Sequence, residues 1–79
     1  MHNRFDIKVN FMKISARNKL KSTIVEIKEG EIMAEVILDV GGQRLIAVIT
    51  KDAVQELNLK KGDSTLAMIK STEVMLIVE

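Results

Sequence analysis

EIMAEVILDVGGQRLIAVIT, residues 31–50, decides the fold. Ile32, Ala34, Val36, Leu38 and Val40 fall on alternate positions, the period of a strand with one face against a core. Met33, Glu35, Ile37 and Asp39 make the opposite face mixed. Gly41-Gly42 then supplies the positive φ values that a tight hairpin needs. Residues 43–50 return as a further strand, apolar on both faces, with Leu45, Ala47 and Ile49 set against Ile46 and Val48.

Working outward, residues 20–28 predict a preceding strand in which Thr23, Val25 and Ile27 share a face, followed by a turn at Glu29-Gly30. After the hairpin the period changes. Ala53, Val54 and Leu57 are at helical spacing, Thr50 stands at the N-cap position and Asp52 in the first turn, which predicts a short helix over 51–57. Residues 58–63 end it and turn the chain. Residues 65–70 and 73–78 predict two last strands, split by Ser71-Thr72. Five strands with a short helix between the third and fourth is the element order of an all-β, OB-like Greek-key barrel. The last strand, like residues 43–50, is apolar on both faces: Val74, Leu76 and Val78 against Met75 and Ile77. A barrel strand of a monomer needs only one apolar face, so the second predicts burial against another subunit.

Composition sets the limits. The chain has 79 residues, enough for one domain with a small core, and no cysteine to staple it. Oligomerisation is the expected source of extra stability. Lys and Arg number 12 against 11 Asp and Glu, a balance without the basic stripe of a nucleic-acid binder. Both Phe residues, Phe5 and Phe11, lie before Met12, so residues 12–79 hold no aromatic on which a base could stack. No apolar run reaches the roughly 20 residues of a membrane span, and the N-terminus lacks the apolar region of a signal peptide. The expectation is a cytoplasmic protein without nucleic-acid or membrane partners. Residues 1–11 read as a flexible extension, although Ile7, Val9 and Phe11 alternate as a strand would; residues 12–79 form the single domain.

Chemistry-bearing residues gather near the two ends of that domain. Ser15-Ala16-Arg17-Asn18 is rich in hydrogen-bond donors and has no carboxylate. The spacing of two between Ser15 and Arg17 points both side chains the same way in extended chain, and the planar guanidinium fork suits an oxyanion. Lys70-Ser71-Thr72 adds a point charge, two hydroxyls and backbone N–H groups where a strand breaks. Thr50 adds a hydroxyl and the unpaired N–H groups of a helix start. Each feature also has an ordinary reading: a solvated Arg, a surface Lys at a strand end, a plain N-cap. Catalysis has no support. The single His2 lies in the extension, no nucleophile–base set can be assembled, and no spacing suggests a metal cage.

Met12-Lys13-Ile14-Ser15-Ala16-Arg17-Asn18, the Gly41-Gly42 hairpin, Thr50-Lys51-Asp52-Ala53-Val54 and Ala67-Met68-Ile69-Lys70-Ser71-Thr72 together resemble the molbindins, the Mop family of small molybdate-binding proteins built on a TOBE/Mop-type domain. The resemblance spans residues 12–78. It implies an OB-like barrel exchanging strands within dimers, a homo-hexamer built as a trimer of dimers, and molybdate or tungstate held between subunits for storage and homeostasis. It implies no cofactor and no direct side-chain ligand to molybdenum, which is bound as the oxyanion. By position, Ser15, Arg17 and Lys70 match oxyanion ligands, Thr50 a hydroxyl position, and Ala16 and Ser71 secondary contacts. Where some members carry a second hydroxyl three residues after Thr50, this chain has Ala53. Molybdate at neutral pH is a dianion that only accepts hydrogen bonds, which a pocket of Arg, Lys, hydroxyls and N–H groups suits. Two other functions stay open. Residues 50–63 also resemble the loop–helix–turn of swapped-hairpin DNA-binding regulators, and the same oxyanion site would serve a molybdate-sensing regulatory domain acting on a partner.

Overall fold

A computed structural model describes residues 16–79; residues 1–15, and with them the expected extension, His2 and Ser15, lie outside the described residues. The chain divides into two compact parts, Lys21–Thr65 and Leu66–Glu79 together with the residues up to Leu20. The elements in chain order are β1 (Asn18–Glu29), β2 (Met33–Val40), β3 (Gln43–Thr50), the helix α1 (Lys51–Glu56), β4 (Ser64–Ile69) and a single 3-10 turn (Ser71–Glu73). The four strands form one sheet in the order β3-β2-β1-β4. Three consecutive strands and a fourth that returns beside the first is the Greek-key order expected from the sequence.

In the first part, β2 and β3 pair antiparallel from Met33↔Thr50 to Val40↔Gln43. The two-residue turn between them has φ of 56° at Gly41 and 88° at Gly42, the paired positive values of a type I′ hairpin. Ala34, Val36 and Leu38 are buried as the alternation predicts. Ile32 is not. It lies before the strand, 74% exposed, because the Gly30 N–H donates to the Met33 carbonyl (2.8 Å) and closes the turn, so β2 begins at Met33 rather than at residue 31. The Ile32 carbonyl instead accepts from the Lys51 N–H, at 2.7 Å.

β1 departs from uniform alternation. Its partners run Thr23↔Asp39 and Ile24↔Leu38, then Glu26↔Ile37 and Ile27↔Val36, so Val25 is an extra residue without a partner in β2. Such a bulge switches which parity faces the core. Ile24 and Ile27, opposite Leu38 and Val36, therefore lie on one face although they are three residues apart. The expected row of Thr23, Val25 and Ile27 is corrected accordingly. Thr23 is exposed, Val25 and Ile27 are half-buried, and Ile24 is the most buried large side chain, 1% exposed. Buried beside it in sequence, Ser22 donates its hydroxyl to the Thr65 carbonyl at 3.3 Å, so no polar atom there is stranded.

The Thr50 hydroxyl oxygen accepts from the Ala53 N–H at 3.0 Å and caps α1, while Val54 is buried with the core. The helix ends in a Schellman motif: the Leu59 N–H donates to Val54 O (3.0 Å) and the Asn58 N–H to Gln55 O (3.1 Å). Asn58 takes the left-handed position, φ 53°, which a short amide side chain tolerates. Asp63 then closes a turn by accepting from the Lys60 N–H at 3.0 Å. The Ile24 N–H donates to Asp63 O (2.9 Å) and the Gly62 N–H to Ile24 O (2.8 Å), seating the start of β4 on β1.

In the second part the expected fifth strand is not formed among the described residues. The 3-10 turn follows β4, and residues 74–79 join no ladder. Val74 has extended dihedrals, φ −84° and ψ 129°, and Met75, Leu76, Ile77 and Val78 are each more than 90% exposed. Alternating apolar sequence favours extended chain, but a strand exists only where another backbone satisfies its N–H and C=O groups. Exposed apolar side chains also occur in the first part, on the outer side of β2 and β3, at Met33, Ile46 and Val48.

The bulge is tested by truncation. Ile24→Ala should cost about 2–5 kcal/mol, as for a buried aliphatic side chain, and Thr23→Ala no more than about 0.5 kcal/mol, as for an exposed one. Urea unfolding at fixed protein concentration reads both. Equal losses would refute the assigned faces.

Candidate functional site

One hydrogen bond organises the ends of β1 and β4. The Asn18 Nδ2 donates to the Ile69 carbonyl at 3.2 Å. Asn18 is the first residue of β1 and Ile69 the last of β4, so the bond ties the segment Ala16-Arg17-Asn18 to the segment Ile69-Lys70-Ser71. Arg17 and Lys70 are each the neighbour in sequence of one partner in this bond. Ser15 lies outside the described residues.

Ala16 is 6% exposed, so only its backbone is on offer to a ligand. Arg17 is exposed, as are Lys70, Ser71 and Thr72. Lys70 is extended (φ −65°, ψ 138°) and is the N-cap of the 3-10 turn, with no side-chain capping bond. Within that turn the Glu73 N–H donates to Lys70 O (2.9 Å) and the Val74 N–H to Ser71 O (3.4 Å). The turn's own bonds leave the Ser71 and Thr72 N–H groups unused, as at any helical N-terminus. Two cations, two hydroxyls and two such N–H groups make a set suited to an oxyanion. One carboxylate stands close in sequence, that of Glu73 in the first turn. Among the described residues no three His, Cys, Asp or Glu gather as a cation site would require.

Thr50 belongs to the first part of the chain. Its hydroxyl oxygen accepts from Ala53, which leaves the hydroxyl hydrogen to donate elsewhere, so capping and anion contact are compatible at this residue. The helix start offers less than the sequence suggested. Two of its N–H groups are engaged, Lys51 with Ile32 O and Ala53 with Thr50 Oγ1.

Two features escaped the sequence. The bond made by Asn18 depends on the β1–β4 register, which no local pattern specifies. The 3-10 turn did leave a signal: Ser71-Thr72-Glu73 has a hydroxyl residue at its start and an acid in its first turn, as helical N-termini do. No helix among the described residues is long and apolar enough to cross a membrane.

The TOBE domain family model matches residues 14–76. A relative named molybdenum-pterin-binding protein 1, from Clostridium pasteurianum, is 48% identical over 67 residues, which cover 84% of this chain and 98% of that protein. Among solved structures, a molybdate-binding protein from Sporomusa ovata superposes with a TM-score of 0.82 at 45% identity, over 85% of this chain and all of that one. The cytoplasmic molybdate-binding protein ModG, in a crystal form with molybdate bound, gives a TM-score of 0.73 at 43% identity, over 78% of this chain and 45% of that one.

The capping bond of Thr50 can be read by substitution. Thr50→Val keeps the shape and removes the cap, and should cost about 1 kcal/mol in urea unfolding. Thr50→Ser should stay within about 0.5 kcal/mol of the parent. Equal stability of all three proteins would show that the cap contributes nothing.

Proposed function

The chain belongs to the TOBE domain family, and from that premise we infer that it binds molybdate, and tungstate of the same charge and shape, as a storage and homeostasis protein of the cytoplasm. The observation that carries this is the Asn18–Ile69 bond, which brings Arg17 and Lys70 to the same end of the β1–β4 pair. Arg17 and Lys70 supply charge-assisted donors, Ser15, Ser71 and Thr50 supply hydroxyls, and Ala16 supplies backbone. The relatives whose names or structures concern molybdate support this assignment. The anion is held through its oxygens by hydrogen bonds, without cofactor or catalysis.

The site is formed between subunits. A buried dianion is costly unless nearly every oxygen is satisfied, and Arg17, Lys70 and Ser71 on one chain are open to solvent. The sheet order leaves β3 and β4 as its two edges. One more strand between those edges closes a five-stranded barrel, and residues 74–78 have the apolar alternation to be that strand. Since they are exposed on their own chain, they close the barrel of a partner, which makes the unit a strand-exchanged dimer. The outer apolar side chains Met33, Ile46 and Val48 then give dimers a surface on which to join, as a trimer of dimers.

Equilibrium dialysis should show saturable molybdate uptake. Arg17→Ala and Lys70→Ala should each weaken it about tenfold or more, the scale of a lost hydrogen bond to a charged group. Unchanged affinity would remove those residues from the site. Native mass spectrometry should report a hexamer, and deletion of residues 74–79 should abolish it; a truncated protein that still assembles would exclude the tail from the interface.

A further inference from the structure

We infer that Asn18 is a positioning residue for the anion site: it touches no ligand, and it sets the register in which Lys70 faces Arg17. This rests on the oxyanion-binding function proposed above. Successive residues in extended chain point to opposite sides, so Asn18 shares a side with buried Ala16 and not with exposed Arg17. Its side chain donates across to the Ile69 backbone at 3.2 Å. Ile69 immediately precedes Lys70. A carbonyl fixed there fixes the peptide from which the Lys70 backbone departs, and with it the 3-10 turn that Lys70 caps.

Register needs such a pin at this position. A slip of two residues between antiparallel strands keeps every side chain on its own face, so apolar patterning opposes it weakly. β4 has no fully buried side chain to resist that slip: Leu66, Ala67 and Ile69 are half-buried and Met68 is exposed. The same slip would move Lys70 about 6–7 Å along the strand, at roughly 3.3 Å per residue, and part it from Arg17. A bond from a side chain to one particular carbonyl distinguishes the two registers. Ser22 forms a bond of the same kind on the same strand pair, from its hydroxyl to the Thr65 carbonyl, but far from Lys70 and beside the Ile24–Asp63 and Gly62–Ile24 backbone bonds, which keep the pairing there when it is lost; it serves as the control.

Molybdate affinity and thermal midpoint are measured on the full chain for the parent, Asn18→Ala, Asn18→Gln and Ser22→Ala. Asn18→Ala should bind molybdate about three- to tenfold more weakly, the scale of one neutral hydrogen bond, and Asn18→Gln, which keeps an amide donor, should recover part of the loss. Ser22→Ala should lose thermal stability and keep its affinity. If Asn18→Ala does not fold, Asn18→Gln and Ser22→Ala carry the comparison: a Gln variant weaker than parent beside an unchanged Ser22→Ala supports the inference. Parent affinity in the folded Asn18 variants, or an equal fall in Ser22→Ala, overturns it. A parent protein that takes up no molybdate overturns the proposed function itself, whereas uptake by the parent with no effect of Asn18 overturns only this inference.

Discussion

The structure depends on β1 serving two neighbours at once. It pairs on one side with β2, the strand that follows it in sequence, and on the other with β4, the last strand of the sheet. A regular 12-residue strand would present one parity of residue to the core along its whole length. The extra residue at Val25 breaks that regularity, so that Ile24 meets Leu38 and Ile27 meets Val36 on the same face. Without it, one of these isoleucines would point outward, and a chain with a small core has little apolar area to lose.

What could be read from the sequence was what depends on near neighbours. The β2–β3 hairpin follows from alternation and two glycines, and the helix from a threonine and a change of period. The bulge was hidden because Thr23, Val25 and Ile27 satisfy the alternation rule as well as the true set does; only the register against β2 tells them apart. The apolar alternation of residues 73–78 predicts a strand, but pattern does not say whose backbone completes the pairing. The same limit applied to the site. Arg17 and Lys70 were recognisable as donors, and their common location was expected from chemistry, while the contact that brings them together lies between residues 51 positions apart.

The candidate site pairs rigid supports with open ligands. Asn18 and the 3-10 turn hold backbone atoms, whereas the guanidinium and ammonium groups stay in water. Charges kept in water incur no burial cost while the site is empty. The desolvation then falls at the moment of anion capture, where the dianion's own charge offsets it. Glu73 is the one group in the turn that works against capture, and its exposed position limits that effect by solvent screening.

The glycines show how differently one residue type can be required. At Gly30 the demand is spatial, since a Cβ would stand 3.0 Å from the Met33 carbonyl oxygen that accepts the bond closing the turn. At Gly41 and Gly42 there is open space on every side, and only the sign of φ excludes ordinary side chains. The tip of the hairpin therefore selects for handedness and not for size. Residues of D configuration, for which positive φ is the relaxed state, would fit there with side chains of any bulk pointing into solvent, so the tip is the place where mirror-image chemistry can be built into this chain without disturbing its sheet.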